Sequence, residues 1–332
     1  MILVVNPNPA LDRVAVVRFR PRATLRTERS FIWPGGSGIH AGHVAKVLGA
    51  DVEVVGFQAG ATGRQLEHHV RLHGLEGEWI AATGETRQTF SLLDLDAGNV
   101  CDVVEPGPQV DASAVARFEA AVRTRLAGAS VVVLSGSLPD GCPEDLLVRI
   151  AEAARQLDVR VIADLQGAAL ESTAAAAPWM IKPSLEEITQ LLEHAPEGTE
   201  LMDRLHGWRD LGVGHVCLSM GERGLVWLSR DGLRHLLAPR VVAFNSIGCG
   251  DTLVGATAAA WERSGDVAAA LREGVAAATD NLRHDAPGHC DPAEVAQLIP
   301  LIQDRPIDAQ DLQELLRMPD ARIPAGTFGL AS

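Results

Sequence analysis

One octet of the sequence combines the residue types that phosphoryl chemistry needs. It reads Asn245-Ser246-Ile247-Gly248-Cys249-Gly250-Asp251-Thr252 and directly precedes an alanine-rich segment with helical periodicity. Two glycines around a small residue at a helix start let backbone N–H groups turn toward an anion, and the helix dipole adds to the attraction. A carboxylate at that point can take a proton from a hydroxyl. Taken alone, the octet is also compatible with an ordinary Asp that caps a helix after a glycine turn.

A second glycine cluster, residues 34–40, reads Pro-Gly-Gly-Ser-Gly-Ile-His and lies between a strand pattern and a helix pattern. Its spacing does not give the GxGxxG of dinucleotide-binding turns, and the strand before it is polar. The chain contains no GxxxxGK[ST], which excludes a P-loop kinase. The glycines are better suited to letting a polyol approach the backbone.

Three charged residues accompany these clusters. Asp12 follows the first strand and could hold two hydroxyls of a sugar, although a solvated turn residue is the alternative. Arg26 and Arg87 lie in two polar segments, where each alone could be an ordinary surface residue. Two guanidinium groups facing one cleft would suit a phosphate.

The elements that must position these residues alternate between short apolar runs and amphipathic segments. The run MILVV, at residues 1–5, predicts a buried strand, and 39–48 shows a helical period that Gly49 ends. Repeated βα alternation predicts a parallel sheet with helices on both faces and a ligand site beyond the carboxyl ends of the strands. The polar strand pairs at about 13–33 and 86–105 do not fit that sheet, and we expect them to form a small lid.

The expected organisation is therefore an α/β domain over residues 1–302 with lid segments at about 13–33 and 86–105. A peripheral C-terminal tail, 303–332, contains one short amphipathic helix at 308–317.

Composition excludes several function classes. The 332 residues are 47% apolar and 22% charged, which excludes global disorder. The net charge of −14 argues against a general nucleic-acid binder. Five scattered cysteines without a CxxC pair argue against a disulfide framework or zinc site and fit a reducing cytoplasm. No signal peptide is visible, and no apolar stretch approaches the ~20 residues of a membrane span.

Together the motifs resemble the PfkB family of the ribokinase superfamily, over residues 1 to about 295. The similarity is to its hexose-phosphate branch, which comprises 1-phosphofructokinases, tagatose-6-phosphate kinases and the minor bacterial 6-phosphofructokinase. The matching segments are NPALD (8–12), LRTERSFIWPGGSGI (25–39), AGATG (59–63), TRQT (86–89), SGSLPDG (135–141), IKPSLEE (181–187), LSMGERG (218–224) and GCGDTLVGA (248–256). The resemblance implies a ribokinase-like three-layer α/β/α fold with a mostly parallel central sheet and a small β-sheet lid.

The resemblance also implies site roles, ATP and Mg²⁺ as cofactors, and a homodimer formed through the lid. The implied roles are a catalytic base in Asp251; an anion hole in Gly248, Cys249 and Gly250; sugar contacts from Asp12, Gly36, Ser37 and the position of His40; contacts to the substrate's own phosphate from Arg26, Arg87 and Ser137; nucleotide contacts from Lys182, Ser184, Ser219, Gly221 and Gly224; and a carboxylate, Glu187, that organises Mg²⁺ through water.

Four positions depart from the family pattern, one of them being Cys249, which makes GCGD of the family's GAGD. His40 and Ser184 stand where the family has Asn, and Thr24 stands where related 6-phosphofructokinases have Lys. Because His40 falls one turn into a helix whose N-terminus faces the cleft, we expect a neutral imidazole that hydrogen-bonds a sugar hydroxyl. The alternative is that His40 turns away from the cleft and packs beside the lid.

The predicted function is ATP-dependent phosphorylation of a primary hydroxyl of fructose 6-phosphate, fructose 1-phosphate or tagatose 6-phosphate. The open alternatives are a catalytically weak sugar-phosphate sensor on the same fold, and a kinase of an unphosphorylated sugar or nucleoside.

Overall fold

The computed structural model describes residues 1–318 apart from positions 21, 95, 97 and 98. The strands are β1 (Ile2–Val5), β2 (Ala10–Val17), β3 (Arg29–Gly35), β4 (Val52–Gln58), β5 (Glu76–Ala81), β6 (Arg87–Asp94), β7 (Asn99–Val104), β8 (Val131–Ser135), β9 (Arg160–Asp164), β10 (Met180–Ile181), β11 (His215–Ser219), β12 (Leu225–Ser229), β13 (Gly232–Leu237) and β14 (Gln303–Pro306).

The helices alternate with these strands along most of the chain. They are α1 (Ser37–Val47), α2 (Gly60–Leu72), α3 (Ala112–Leu126), α4 (Leu146–Gln156), α5 (Gly167–Ala174), α6 (Leu185–Leu192), α7 (Gly198–Asp210), α8 (Cys249–Ser264), α9 (Val267–Asn281), α10 (Pro292–Leu298) and α11 (Ala309–Arg317), with single 3₁₀ turns at Gly221–Arg223 and Ile299–Leu301. None of the described helices is both long and apolar enough to cross a membrane.

Ten strands form the main sheet, in the order β14-β13-β12-β11-β10-β9-β8-β1-β4-β5. The seven strands from β11 to β5 are parallel, whereas β12, β13 and β14 join the edge as antiparallel neighbours. The mostly parallel sheet is as predicted. Because the carboxyl ends of the parallel strands share one edge, residues that follow β1, β8, β9 and β10 gather there.

Helices cover both faces of this sheet, which gives the predicted three layers. Leu3 and Val5 of β1 belong to the core beneath α3, α4, α5, α6, α7 and α11. Ile2 and Val4 point the opposite way, into the core beneath α1, α2, α8, α9 and α10. A strand buried on both faces reads as a continuous apolar run, which is why MILVV identified β1.

The predicted lid is a separate four-stranded sheet of order β3-β2-β6-β7, which we call the lid sheet. Its cleft-facing side buries Val14, Val16 and Leu93 against Phe244 and Ile247, which lie just before α8. The lid sheet therefore packs directly on the chain that carries the glycine octet.

The C-terminal segment differs from the prediction. Residues 303–306, expected in a peripheral tail, form the edge strand β14 of the main sheet, and Leu312 and Leu315 of α11 are buried. The boundary predicted at 302 is thus not visible in the fold, because a strand as short and polar as Gln-Asp-Arg-Pro carries no apolar period. Just before β14, α10 ends at Leu298 and the chain continues as a 3₁₀ turn containing Pro300. Residues 319–332 of the predicted tail lie outside the described residues.

Candidate active site

The glycine octet forms the start of α8, as its pattern predicts. Gly248 precedes the helix with φ 76°, and a Cβ there would lie 2.4 Å from the backbone nitrogen of Gly288. Only glycine satisfies both the left-handed conformation and this close approach. Gly250 and Asp251 follow in the first turn, where helix N–H groups have no intrahelical partner. The loop therefore presents free N–H donors and a carboxylate at one point.

Asn281, at the end of α9, holds this loop in shape. Its buried Nδ2 donates to Ile247 O at 2.9 Å and to Cys249 Sγ at 3.2 Å, and its Oδ1 accepts from the Thr252 hydroxyl at 3.3 Å. Burial raises the pKa of the Cys249 thiol to about 12, so the thiol stays neutral. The cysteine of the GCGD variant is thus a packing and hydrogen-bonding group.

His40 connects the two carboxylates predicted for the acceptor side. Its Nδ1 lies 2.8 Å from Asp251 Oδ2, and its Nε2 lies 3.1 Å from Asp12 Oδ2, the second contact being poorly aligned for a hydrogen bond. All three side chains are at most slightly exposed. Asp12 and Asp251 lie far apart in sequence, and the packing of β2, α1 and α8 brings them together.

The expectation of a neutral His40 is wrong. Burial by itself would lower the imidazole pKa, but the carboxylates of Asp12 and Asp251 outweigh it and raise that pKa to about 10. Two ion-pair partners exceed the effect of a helix dipole, which is worth about 0.3–1 kcal/mol. Asp251 engages Nδ1, whereas Nε2 faces Asp12 without a hydrogen bond, so the expected contact of His40 with a sugar hydroxyl stays a prediction.

A second group of hydrogen-bonded residues lies beyond Asp12. It contains Arg87 and Ser137, two of the residues expected to hold a phosphate. Arg87 Nε donates to the carbonyl of Asn8 at 3.0 Å, and Asn8 Nδ2 donates to the Ser137 hydroxyl at 3.1 Å. Burial lowers the pKa of Arg87, with Asp12 opposing the shift. Among the described residues, no carboxylate forms an ion pair with Arg87. The guanidinium is therefore a partly buried cation suited to an anion.

Arg26, the third residue expected to contact the substrate's phosphate, does not lie with Arg87 and Ser137. It lies exposed in the connection between β2 and β3, and no hydrogen bond or ion pair ties it to another described residue. Its assignment stays a prediction, as does that of Gly36 and Ser37. Those two residues begin α1 beside the lid strand β3, and a Cβ on Gly36 would lie 2.6 Å from the buried amide of Asn6.

A buried ion pair occupies the nucleotide side of the α8 loop. Lys182, after β10, places Nζ 3.1 Å from Asp164 Oδ1 at the end of β9. Burial raises the pKa of Asp164, with Lys182 opposing; burial lowers that of Lys182, but Asp164 and Glu187 outweigh it and hold it above its usual value. A Cβ on Gly250 would lie 3.3 Å from Lys182 Nζ, so the ammonium adjoins the anion hole.

The other expected nucleotide residues lie along the next strands. Ser184 and Glu187 form a capping box at the start of α6: Glu187 N donates to Ser184 Oγ, and Ser184 N donates to Glu187 Oε2. Ser184 also pairs with Ser219 in an isolated bridge. The turn from Gly221 to Gly224 follows, and a Cβ on Gly224 would lie 2.2 Å from Leu236 O.

The sequence analysis missed Asn8, Asp164 and Asn281. Asp164 carried a usable signal, because a carboxylate that ends an apolar run such as VIAD falls at the ligand edge of a parallel sheet. Asn8 stood inside the NPALD segment but was not singled out. Asn281 gave no local signal, since its partners lie about 30 residues away in sequence.

Comparison with known proteins decides the family. The family model described as pfkB family carbohydrate kinase matches residues 14–294. The chain belongs to this family. Its curated relatives include the 1-phosphofructokinase of Bacillus subtilis, 28% identical over 284 residues, covering 83% of this chain and 90% of that protein. The 1-phosphofructokinase of Vibrio cholerae is 28% identical over 257 residues, covering 76% and 80%.

Solved structures confirm the ribokinase-like fold of this family member. A possible 1-phosphofructokinase from Thermotoga maritima superimposes with a TM-score of 0.86 at 21% identity, covering 93% of this chain and all of that chain. Phosphofructokinase-2 from Escherichia coli in complex with substrates and products gives 0.82 at 23% identity, covering 90% and 98%. Ribokinase from Thermotoga maritima gives 0.74 at 19% identity, covering 90% and 99%.

Proposed function

We propose that this carbohydrate kinase transfers the γ-phosphoryl group of ATP to a primary hydroxyl of a phosphorylated hexose. The observation that carries the proposal is the partly buried cation of Arg87, which lies near Asp12 and forms no ion pair among the described residues. A neutral sugar would leave that cation partly desolvated without a directly paired anion, which is unfavourable. A phosphate at Arg87, with sugar hydroxyls at Asp12, directs the far end of the sugar to Asp251. The names of the curated relatives support the same substrate class.

The residues divide the reaction between them. Asp251 accepts the proton of the hydroxyl as its oxygen attacks the γ-phosphorus, and ADP leaves with the electron pair of the broken P–O bond. The N–H groups at the start of α8 stabilise the charge on the transferring phosphoryl oxygens. Lys182 offers a cation to the nucleotide phosphates. The lid sheet excludes water over Asp12, which limits hydrolysis of ATP.

The nucleotide side also fits Mg²⁺ as the implied cofactor. Both carboxylate oxygens of Glu187 are already engaged, one with Ser184 N and the other with Gln166 Nε2 at 3.2 Å, which suits an indirect role through water. Asp164 supplies a second hard oxygen ligand nearby. Since no cluster of three metal-binding side chains occurs in the described part of the chain, the ATP phosphates would complete the coordination. Bound there, Mg²⁺ neutralises phosphate charge.

A coupled ADP-release assay tests the proposal with fructose 6-phosphate, fructose 1-phosphate, tagatose 6-phosphate, free hexoses and a nucleoside. We expect kcat/KM for one sugar phosphate to exceed that for every neutral acceptor by at least about tenfold, since a charge-assisted contact is worth roughly 1.5–3 kcal/mol. Preference for a free sugar or nucleoside overturns the proposal. Tight sugar-phosphate binding without turnover would instead identify a sensor.

We further propose that the protein is a homodimer formed through the outer face of the lid sheet. Phe90 and Val103 are cross-strand neighbours on that face, and they are 36% and 56% exposed. A second copy of this face would cover them. A tetrameric form is recorded for phosphofructokinase-2 of Escherichia coli. A cytoplasmic location stays a prediction, to which the five free cysteines are suited.

Light scattering after gel filtration tests the dimer. Val103→Asp should give a monomer, because it places a charge within the proposed contact. Leu157→Asp is the matched control, since Leu157 is 52% exposed at the C-terminal cap of α4, away from the lid sheet. A monomeric wild type, or a Val103→Asp protein that still dimerises, contradicts the proposed interface.

A further inference from the structure

His40 lies at the junction of the acceptor site and the catalytic base, and its side chain has little freedom to leave. It is 4% exposed, with ring nitrogens 2.8 Å from Asp251 and 3.1 Å from Asp12. Gly288 packs against it so closely that an added Cβ would lie 2.5 Å from His40 Cβ. Helices α1 and α8 also touch through backbone, since a Cβ on Gly255 would lie 2.1 Å from Ala41 O.

The two contacts favour a cation. Nδ1 is hydrogen-bonded to Asp251, whereas Nε2 lies within ion-pair distance of Asp12 without the alignment of a hydrogen bond. A neutral imidazole carries one N–H, so its other nitrogen would present a lone pair to the second carboxylate. Imidazolium instead carries a proton on both nitrogens and separates two negative charges that would otherwise repel across the cleft.

Within the described part of the chain, no cation forms a hydrogen bond or ion pair with His40. Asp12 faces the ring from β2 and Asp251 from α8, while the loop after α9 contributes Gly288. On α1 itself, burial and neighbouring histidines keep His43 neutral, with a pKa of about 4. The charge on His40 is thus set by the two carboxylates.

We propose that His40 acts as an imidazolium clamp, a positioning residue that holds Oδ2 of Asp251 and Oδ2 of Asp12 and leaves Oδ1 of Asp251 to face the acceptor hydroxyl. This inference rests on the proposed function and names a part of the site that the family fills with Asn. The raised pKa of His40, about 10, agrees with it. In the transfer step, the acceptor O–H bond breaks, the O–P bond forms and the proton passes to Asp251 Oδ1, while His40 keeps both of its protons.

The clamp also acts directly on the base. The cation lies 2.8 Å from Asp251 Oδ2, so it stabilises the ionised carboxylate on which proton transfer depends. His40→Asn removes the cation. We therefore expect the acid limb of kcat/KM to move to higher pH in His40→Asn, with little change in the KM for ATP.

Two measurements test the clamp. The first is the ¹⁵N NMR spectrum of histidine-labelled protein without substrate at pH 8.5, where His40 should show two protonated nitrogens. Its resonances are assigned by their loss in His40→Asn or, if that variant does not fold, by their displacement in Asp251→Asn. The second is the pH profile of kcat/KM, with His43→Asn as the matched control on the same helix. His43 touches neither carboxylate, so the control should keep the wild-type acid limb.

The outcomes separate this inference from the proposed function. A neutral tautomer of His40 at pH 8.5, or an acid limb that moves equally in both variants, overturns the clamp even if the enzyme phosphorylates a sugar phosphate. A protein that phosphorylates no sugar phosphate contradicts the proposed function, whereas the NMR result still decides the charge of His40.

Discussion

Two histidines three residues apart on α1 are buried to the same degree and titrate in opposite directions. His40 is 4% exposed and has a pKa of about 10, whereas His43 is 6% exposed and has a pKa of about 4. Burial lowers both values. His40 faces two carboxylates, while His43 packs among Trp33, His73 and His289, with ring centroids 5.6, 5.3 and 6.3 Å away.

The difference shows that neighbours, not depth, decide the charge of a histidine here. An opposite charge within hydrogen-bond distance can outweigh the desolvation of an imidazole, and a cluster of potential cations adds to it. His40 and His43 are therefore one helical turn apart but lie in different surroundings. His40 contacts the carboxylates of the cleft, whereas His43 packs against Trp33 of the lid sheet.

The largest effect is expected from removing the carboxylate that serves both the reaction and His40. Asp251→Asn keeps the shape but accepts a proton poorly, so kcat should fall by about 10² to 10⁴ while ATP binding persists. The imidazole of His40 should also titrate at a lower pH, because it loses one ion-pair partner. Asp266→Asn, an exposed helix cap on α9, is the control. A variant that retains more than about a tenth of the wild-type kcat removes Asp251 as the base.

The loss of folding stability at alkaline pH depends on the charge of His40. Its folded pKa, about 10, lies above the unfolded value of 6.5, so the folded state binds more protons between these pH values. The contribution is present in full below pH 6.5 and is lost as the pH rises through 10. Urea unfolding should show that wild type loses up to about 5 kcal/mol more than His40→Asn over this range. Parallel losses in both proteins would contradict a charged His40.

The loss of folding stability at acidic pH depends on His43, with the opposite sign. Its folded pKa, about 4, lies below the unfolded value, so the unfolded state binds more protons between pH 4 and 6.5. Stability therefore falls as the pH falls through this window, by up to about 3 kcal/mol for this residue. The free energy of unfolding of His43→Asn should fall less between pH 6.5 and 4 than that of wild type. His215 titrates in the same direction, but both proteins contain it, so it does not affect the comparison. If wild type and His43→Asn lose the same stability between pH 6.5 and 4, the histidine cluster does not hold His43 neutral.

The fold and part of the site could be predicted because they depend on local patterns. Alternating βα periods identified the parallel sheet, and polar strands identified the lid sheet. Glycines before a helix identified Asp251 and its loop. Strand β14 could not be predicted, because four polar residues at a sheet edge need no apolar period. The charge of His40 could not be predicted either, since its two carboxylates lie 28 residues before it and 211 residues after it in the chain.

The smallest effect is expected from Arg87, the second cation near Asp12. It shows whether Arg87 and His40 have separate roles. Arg87→Ala should raise the KM for a sugar phosphate ten- to a hundredfold, since a lost charge-assisted contact is worth roughly 1.5–3 kcal/mol. It should change the KM for ATP little. Because Arg87 does not touch Asp251, the acid limb of kcat/KM should stay where it is in wild type, unlike that of His40→Asn.

Arg13→Ala is the matched control for Arg87→Ala. Arg13 lies next to Asp12 on β2 but on the outer face of the lid sheet, where its Nε donates to Gln88 Oε1 at 2.6 Å. Steady-state kinetics of both variants at several pH values separate the possibilities. Equal effects of Arg87→Ala on both substrates would place Arg87 outside the sugar-phosphate site. A shifted acid limb in Arg87→Ala would mean that the charge around Asp251 is shared among all nearby cations rather than set by His40.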